Sequence, residues 1–468
     1  MRRTKIVCTI GPASSSPRIM EGLIKTGMDM ARLNFSYGTP EEQRRRIKTL
    51  REISAKLNRP LAVLADFQGL KIRIGELASG KVFLRKGNYL ALTAEPKVGN
   101  ENEIFVDYPR LATDVRVGER IFLNEGLIQL VAVEVNESRV KCRILIGGEL
   151  ESGKKVNLPD TKITAPIFTP KDRSDLAQIL KEEVDFVALS FVKEAQDITD
   201  LRALIPEVNR EIKVVAKIEK AWAIKSIDDI IEVADVVMVA RGDLGAELPP
   251  EDLPLLQKEI IRKCNRAGKP VITATQMLKS MVNSPQPTRA ETSDVANAIF
   301  DGTDALMLSE EVAVGNFPVQ SVQTMVKIAI KAESGLDYLK VPKERSDPVT
   351  PTEAISSAAC DLATSLKAKA IITPTQSGFT ARSVSRHRPP VPIVAVSPSP
   401  IVVRQLMLSW GVIPLLTDPS KKVDEVLEKA VRKAEEAGIV AKGDKVVITA
   451  GILVDVPGTT NFIKVHTV

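Results

Sequence analysis

Short apolar runs rich in β-branched residues recur along the first two thirds of the chain. They fall at Lys5–Ile10, Asp29–Leu33, Leu61–Ala65, Phe186–Leu189, Val214–Ile218, Val236–Ala240, Val271–Ala274 and Ala305–Leu308. All but the third lead directly into a stretch of helical periodicity. One helix start is legible residue by residue: Thr39-Pro40-Glu41-Glu42 combines an N-cap, a proline at the first helical position and a capping box. Strands apolar on both faces, alternating with helices eight times, predict a parallel (β/α)8 TIM barrel.

The third unit is interrupted. From Lys71 to Thr164 the pattern changes to period-2 alternation and turns, as in Tyr89–Thr93, Ile121–Asn124 and Leu130–Val135. A β-rich insertion after a barrel strand stands over the active face and is a candidate lid, with a passive decoration as the alternative. A stretch containing proline and charge, Val341–Pro351, reads as a linker. A second α/β domain follows, with strands near Ala370–Thr373, Ile393–Val396 and Lys445–Thr449. The expected domains are therefore a barrel over 1–70 and 165–340, an inserted lid over 71–164, and a C-terminal α/β domain over 341–468.

Composition narrows the function classes. The 468 residues are enough for roughly three domains. Aromatics make up 4% and the net charge is +6, with no basic block interleaved with aromatics, which argues against nucleic acid. The run Arg44-Arg45-Arg46 lies in a helical pattern and reads as a solvated face. Mild basicity suits anionic substrates. Cys8, Cys142, Cys264 and Cys360 are far apart, which points to a reducing, cytoplasmic setting without disulfides or a thiolate metal site. No apolar stretch is long enough for a membrane span. The two histidines, His387 and His466, lie near the C-terminus, so acid–base work in the barrel would fall to other side chains.

Barrel active sites lie at the C-terminal ends of the strands. Those positions hold Arg32, Asn34 and Ser36; Asp66; Ser190; Lys217 and Glu219; Arg241 and Asp243; Thr275 and Gln276; Ser309 and Glu311. One such residue alone would be a cap or a solvated charge, whereas their convergence on one rim predicts a site. Glu219 and Asp243 come from adjacent strands, and oxygen-only ligation favours a hard divalent cation, Mg2+ or Mn2+. The alternative is a pair of carboxylates neutralised by Lys217 and Arg241. A metal with Lys217 beside it suits an enolate oxygen and a phosphoryl group in transfer.

Arg32, Asn34, Ser36, Lys217, Glu219, Arg241, Asp243, Thr275 and Gln276 sit in segments that resemble pyruvate kinases, and further segments do so too: Lys5–Ser14 (KIVCTIGPAS), Gly27–Gly38 (GMDMARLNFSYG), Val215–Glu219 (VAKIE), Met238–Gly245 (MVARGDLG), Thr273–Met281 (TATQMLKSM), Pro287–Asn297 (PTRAETSDVAN) and Gly458–Val468 (GTTNFIKVHTV). The resemblance spans the chain. It implies a barrel with a β-barrel lid and a C-terminal regulatory domain, transfer of a phosphoryl group from phosphoenolpyruvate to ADP giving pyruvate and ATP, and a homotetramer. Lys217 is then the catalytic lysine, and Glu219 and Asp243 the Mg2+ ligands. Substrate is held by Arg32, Lys217, Thr275 and the Ala240-Arg241-Gly242-Asp243 segment. Thr275 lies near the carbon protonated in the last step. Arg32, Arg73 and Lys154 meet nucleotide phosphate. Asn34, Ser36, Asp66 and the Phe67 carbonyl resemble a monovalent-cation pocket.

The chain departs from that pattern at several points. Tyr37 replaces a histidine, Leu70 a proline, and Phe379 an arginine of the effector loop; Glu310 and Val312 also differ. Lys71 stands where many relatives carry glutamate, and relatives with lysine there resemble potassium-independent enzymes. Its ammonium is a tethered monovalent cation that replaces K+; the alternative is a lysine pointing to solvent. The turn Thr375–Thr380 opens a helix, and Thr375, Ser377, Gly378, Thr380 and Arg382 are expected to take a phosphorylated effector, a plain capped turn being the alternative. Two other functions compete: a barrel aldolase or lyase acting on pyruvate enolate, and a non-catalytic sensor on the same fold. The first would need no lid and the second would be expected to have lost Lys217 or a metal ligand.

Overall fold

The computed structural model describes residues 1–209, 211–336, 349–420, 422–451 and 460–468. The expected linker Val341–Pro351 therefore lies mostly outside the described residues, as do Gly458 and Thr459. The eight predicted strands close into one parallel barrel in chain order, at Lys5–Ile10, Met30–Asn34, Ala62–Asp66, Phe186–Leu189, Lys213–Ile218, Val236–Ala240, Val271–Ala274 and Ala305–Leu308. The pairing of Lys5 with Ala305 and of Val7 with Met30 closes the cylinder.

Alternation along each strand separates two cores. Val7, Met30, Leu64, Val215, Met238, Ile272 and Met307 fill the interior, and Met407 and Leu408 of the C-terminal domain join that cluster. Ile6, Cys8, Leu33, Val63, Ala216 and Val237 face outward onto the helices. Side chains buried on both faces explain why the strands read as continuous apolar runs rather than alternating ones. Around the barrel, Thr39 caps the helix Pro40–Lys56, accepting from the Glu42 amide at 3.3 Å while the Thr39 amide donates to Glu42 Oε2 at 3.0 Å. On that helix Arg44 and Arg45 are exposed, and Arg44 pairs with Glu182 at 2.8 Å.

The insertion after the third strand carries a six-stranded sheet and a two-stranded ribbon around its own core, in which Leu90, Leu92, Ile104, Leu130 and Cys142 are buried. The inserted domain thus has a core of its own, and the helix that completes the third barrel unit, Pro170–Ile179, appears only after it. In the C-terminal domain Ala370–Pro374, Ile393–Ser397 and Lys445–Ala450 form a five-stranded sheet with two strands that the sequence reading did not assign, Val412–Leu416 and Phe462–Thr467. Both are edge strands. The first is apolar, Val-Ile-Pro-Leu-Leu, but Pro414 within it argues against a strand; in the second, Phe462, Ile463 and Val465 are interspersed with polar Lys464, His466 and Thr467 and none of the six is fully buried.

The C-terminal domain is pinned to the barrel floor by buried charge. Asp185 Oδ1 accepts from Arg404 Nε at 2.6 Å, and Asp185 Oδ2 from Arg51 at 2.6 Å and the Val63 amide at 2.8 Å. Arg388 reaches Asp304 at 3.0 Å. Lys5 Nζ donates to the Val412 carbonyl at 2.7 Å.

Candidate active site

At the opposite, C-terminal rim the parallel strands deliver their last side chains into one cluster. Lys217 is the centre of it. Its ammonium is buried and lies 2.9 Å from Glu219 Oε1, 3.1 Å from Asp66 Oδ1 and 2.8 Å from Ser190 Oγ. Burial alone would strip its proton; the charges of Asp66 and Glu219 outweigh that and raise its pKa, so it stays a cation. Asp66 is shared, because its Oδ2 also accepts from Arg32 Nε at 2.6 Å. Arg32 in turn donates to Thr9 Oγ1 at 2.9 Å. Burial opposes the ionised form of Asp66, but Lys217 and Arg32 hold its carboxyl below the usual range. Asp66, expected in the monovalent-cation pocket, is thus also the counter-ion that fixes Lys217 and Arg32.

The sixth strand ends in a short helix, Arg241–Gly245, with Ala240 at its N-cap. Arg241 does not neutralise Asp243. It turns to Asp294 at 2.7 Å and donates to the Thr275 carbonyl at 2.8 Å. The cation paired with Asp243 is Lys155 of the inserted domain, just before its last short strand, Val156–Asn157. Glu219 is buried with Asp243 as a neighbour, and burial followed by that repulsion raises its pKa even against Lys217. Two oxygen-donor side chains that repel one another fit a hard divalent cation. Among the described residues no group of three or more His, Cys, Asp or Glu side chains gathers as a metal cage.

Thr275 and Gln276 follow the seventh strand with φ of 72° and 57°, and Phe191 follows the fourth with 59°. Left-handed backbone at a threonine is strained and is held only where its surroundings demand it. Here the result is that Thr275 Oγ1 turns back to accept from the Gly242 amide at 2.7 Å. A side chain at Gly242 would start 3.4 Å from that oxygen. A cleft of about 190 Å³ opens over Gly242, Asp243, Thr275 and Lys279.

Beside it lies the expected monovalent pocket. Lys71 Nζ donates to Ser36 Oγ at 2.8 Å, the Ser36 amide donates to Asn34 Oδ1 at 3.0 Å, and the Phe67 carbonyl accepts from Ser190 Oγ at 2.8 Å. Lys71 points into the site and not to solvent. Burial, then the nearby Lys217 charge, lowers its pKa to about 8. It also sits 5.9 Å from the ring of exposed Tyr37.

Other expected residues are not drawn into this cluster. Arg73 is exposed on the inserted domain and donates to the Gly153 carbonyl at 2.7 Å. Lys154 pairs with Glu151 within that domain at 2.9 Å. In the C-terminal domain, Thr375 Oγ1 accepts from the Gly378 amide at 3.0 Å, and Gly378 has φ of 77°. The Thr380 hydroxyl meets that of Thr460 at 3.0 Å. Arg382 donates to the Ser377 carbonyl at 3.2 Å and, with Phe379, lines a cavity against the barrel with Asp235 and Lys269. Sequence reasoning gave Ser190 no role and passed over Lys155. The strand-end rule located Ser190, but only the fold shows that its hydroxyl touches Lys217.

Comparison with known proteins agrees with this geometry. Residues 1–322 match the pyruvate kinase barrel domain and residues 353–466 the pyruvate kinase alpha/beta domain. A pyruvate kinase of Staphylococcus epidermidis is 46% identical over 472 residues, covering 100% of this chain and 81% of the relative. One of Sporosarcina psychrophila is 45% identical over 473 residues, with the same coverage. The crystal structure of a pyruvate kinase from Cryptosporidium parvum superposes with a TM-score of 0.92 at 37% identity, covering 100% of this chain and 96% of that one. With both domain families matched, full-length relatives in agreement and the rim residues gathered as the motifs require, the chain belongs to the pyruvate kinase family of transferases.

Proposed function

We propose that this enzyme transfers the phosphoryl group of phosphoenolpyruvate to ADP, with Lys217 as the central catalytic group. The observation that carries the reading is the Lys217 ammonium, buried and held between Asp66, Glu219 and Ser190. Phosphoryl transfer demands positioning and charge compensation more than covalent chemistry. Lys217 supplies a fixed positive charge where the bridging oxygen becomes an enolate, and Arg32, braced by Asp66, faces the phosphate. The bond from phosphorus to the enol oxygen breaks as one forms to the terminal phosphate oxygen of ADP. The methylene carbon of the enolate then takes a proton, giving pyruvate. Thr275, whose hydroxyl already links to the Gly242 amide, is placed for that delivery through water. The Gly242 and Asp243 amides suit the substrate carboxylate.

Glu219 and Asp243 would hold Mg2+ or Mn2+, which supplies Lewis-acid charge to the phosphoryl and enolate oxygens. A lid closing over the site would keep water from competing as acceptor, and Arg73 and Lys154 on it would meet nucleotide phosphates. Lys71 replaces K+ in the pocket of Asn34, Ser36, Asp66 and the Phe67 carbonyl. The Thr375–Thr380 turn remains the proposed site for a phosphorylated effector, in a homotetramer of cytoplasmic setting. Among the described residues no helix is long and apolar enough to cross a membrane.

The test is ADP-dependent pyruvate formation in a lactate-dehydrogenase-coupled assay. Lys217→Met should cost about 10²–10³ in rate, the usual loss for one preorganised charge donor, with the folded structure retained. Near-wild-type turnover in that variant would refute the role.

A further inference from the structure

The inserted domain meets the barrel at several places, among them Lys193, which donates to the Ile163 carbonyl at 3.2 Å, and the stretch from the helix Arg241–Gly245 to Glu247. Asn157 Nδ2 donates to Glu247 Oε1 at 3.1 Å. Glu247 is itself held by Lys220 and by the Ala221 amide. Gly126 of the lid lies so close to the Ala246 carbonyl that a Cβ would start 3.3 Å from it. The third contact with that stretch is the ion pair of Lys155 with Asp243 Oδ1. The Lys155 ammonium also lies 5.0 Å from the Phe191 ring, and its side chain is only 17% exposed. Its neighbours on the lid behave otherwise: Lys154 pairs within the lid with Glu151, and Lys162 is exposed.

Lys155 is therefore committed to a carboxylate that the proposed reaction needs for a divalent cation. Lys155 occupies Asp243 Oδ1, and its positive charge there repels a divalent cation brought to the same carboxylate. We propose that Lys155 is an internal competitor for the divalent cation at Asp243, so that docking of the lid root through Lys155 and loading of the metal oppose one another. The inference rests on the assignment of Glu219 and Asp243 as the cation's ligands. With Lys155 in place, a negative charge beside buried Glu219 is compensated before any cation arrives. When the cation binds, Lys155 is displaced and the lid loses one of its three ties to the stretch 243–247. By linkage the effect is reciprocal: whatever factor the Lys155 contact takes from metal affinity, the metal takes from lid docking.

The experiment reads metal binding and lid mobility without substrates. Mn2+ is titrated into the purified enzyme, free Mn2+ is followed by electron paramagnetic resonance, and hydrogen exchange is measured over residues 154–158. In wild type, Mn2+ should increase exchange in that segment. Lys155→Met should bind Mn2+ about 5–150-fold more tightly, the range of ordinary coupling between sites, and its exchange should no longer respond to Mn2+. Lys155→Arg, which keeps the charge, should stay near wild type, and Lys162→Met should change neither readout. An Mn2+ affinity that is unchanged or weaker in Lys155→Met, while Glu219→Gln weakens binding, overturns the competition and leaves the ligand assignment standing. Mn2+ binding that is indifferent to both Glu219→Gln and Asp243→Asn overturns the ligand assignment and the competition with it.

Discussion

If Lys71 supplies the charge of a potassium ion, the enzyme should lose that charge, and acquire a need for K+, as pH rises past the pKa of Lys71. The structure sets where this happens. Burial, followed by repulsion from Lys217, lowers that pKa to about 8. Lysine is cationic below its pKa, so about nine tenths of the free enzyme carries the charge at about pH 7 and about one tenth at about pH 9. The pH dependence of kcat/KM reports groups of the free enzyme, and it should be measured in tetramethylammonium buffer and again in saturating K+. The ratio of the two cancels titrations that do not involve Lys71. That ratio should fall about tenfold between about pH 7 and about pH 9, following the charged fraction. Lys71→Met should lose the K+-free activity at every pH and recover it with added K+. Lys71→Glu should need K+ at neutral pH. A wild-type enzyme that is inactive at pH 7 until K+ is supplied, or a ratio flat across this range, would refute the argument.

Three further outcomes are expected. Glu219→Gln should shift the Mg2+ or Mn2+ titration of activity to higher concentration by more than the ~10–100-fold that loss of an outer-shell partner costs; an unchanged midpoint would sink the ligand role, and Asp243→Asn tests the second ligand. Asp185→Ala takes from Arg51 and Arg404 the buried carboxylate they share at the barrel floor, leaving Arg51 its bond to the Leu61 carbonyl, and should cost about 3–5 kcal/mol of stability, read as a lowered Tm and denaturation midpoint; a shift within error would mean that the buried pairs are dispensable. Ser377→Ala with Thr380→Ala should abolish activation by hexose monophosphate, fructose bisphosphate or AMP, and activation that survives would place the effector elsewhere than the Thr375–Thr380 turn.

The barrel was legible in the sequence because its strands are buried on both faces. Such strands must be continuous apolar runs, and the run from Val236 to Ala240 ends where the structure ends it. Chain order then fixes neighbours in a parallel barrel, so Lys217, Glu219, Asp243 and Thr275 could be assigned to one rim from the last residues of their strands. The helix after Thr39 was legible for a local reason, since a capping box involves only four consecutive residues. What the sequence could not supply were contacts between segments distant in the chain. It placed Asp66 in a cation pocket and gave no sign that the fold also makes it the shared partner of Arg32 and Lys217. It paired Asp243 with Arg241 as the alternative to a metal, yet Arg241 turns to Asp294 and the lid sends Lys155. Of the edge strands, Val412–Leu416 went unassigned because Pro414 interrupts an otherwise apolar run, and Phe462–Thr467 because its incomplete burial mixes apolar with polar residues. Local rules thus determined the elements and the rim they converge on. Which charge neutralises which was decided only by tertiary structure, because an ion pair depends on distance in space, and 88 residues of chain separate Lys155 from Asp243.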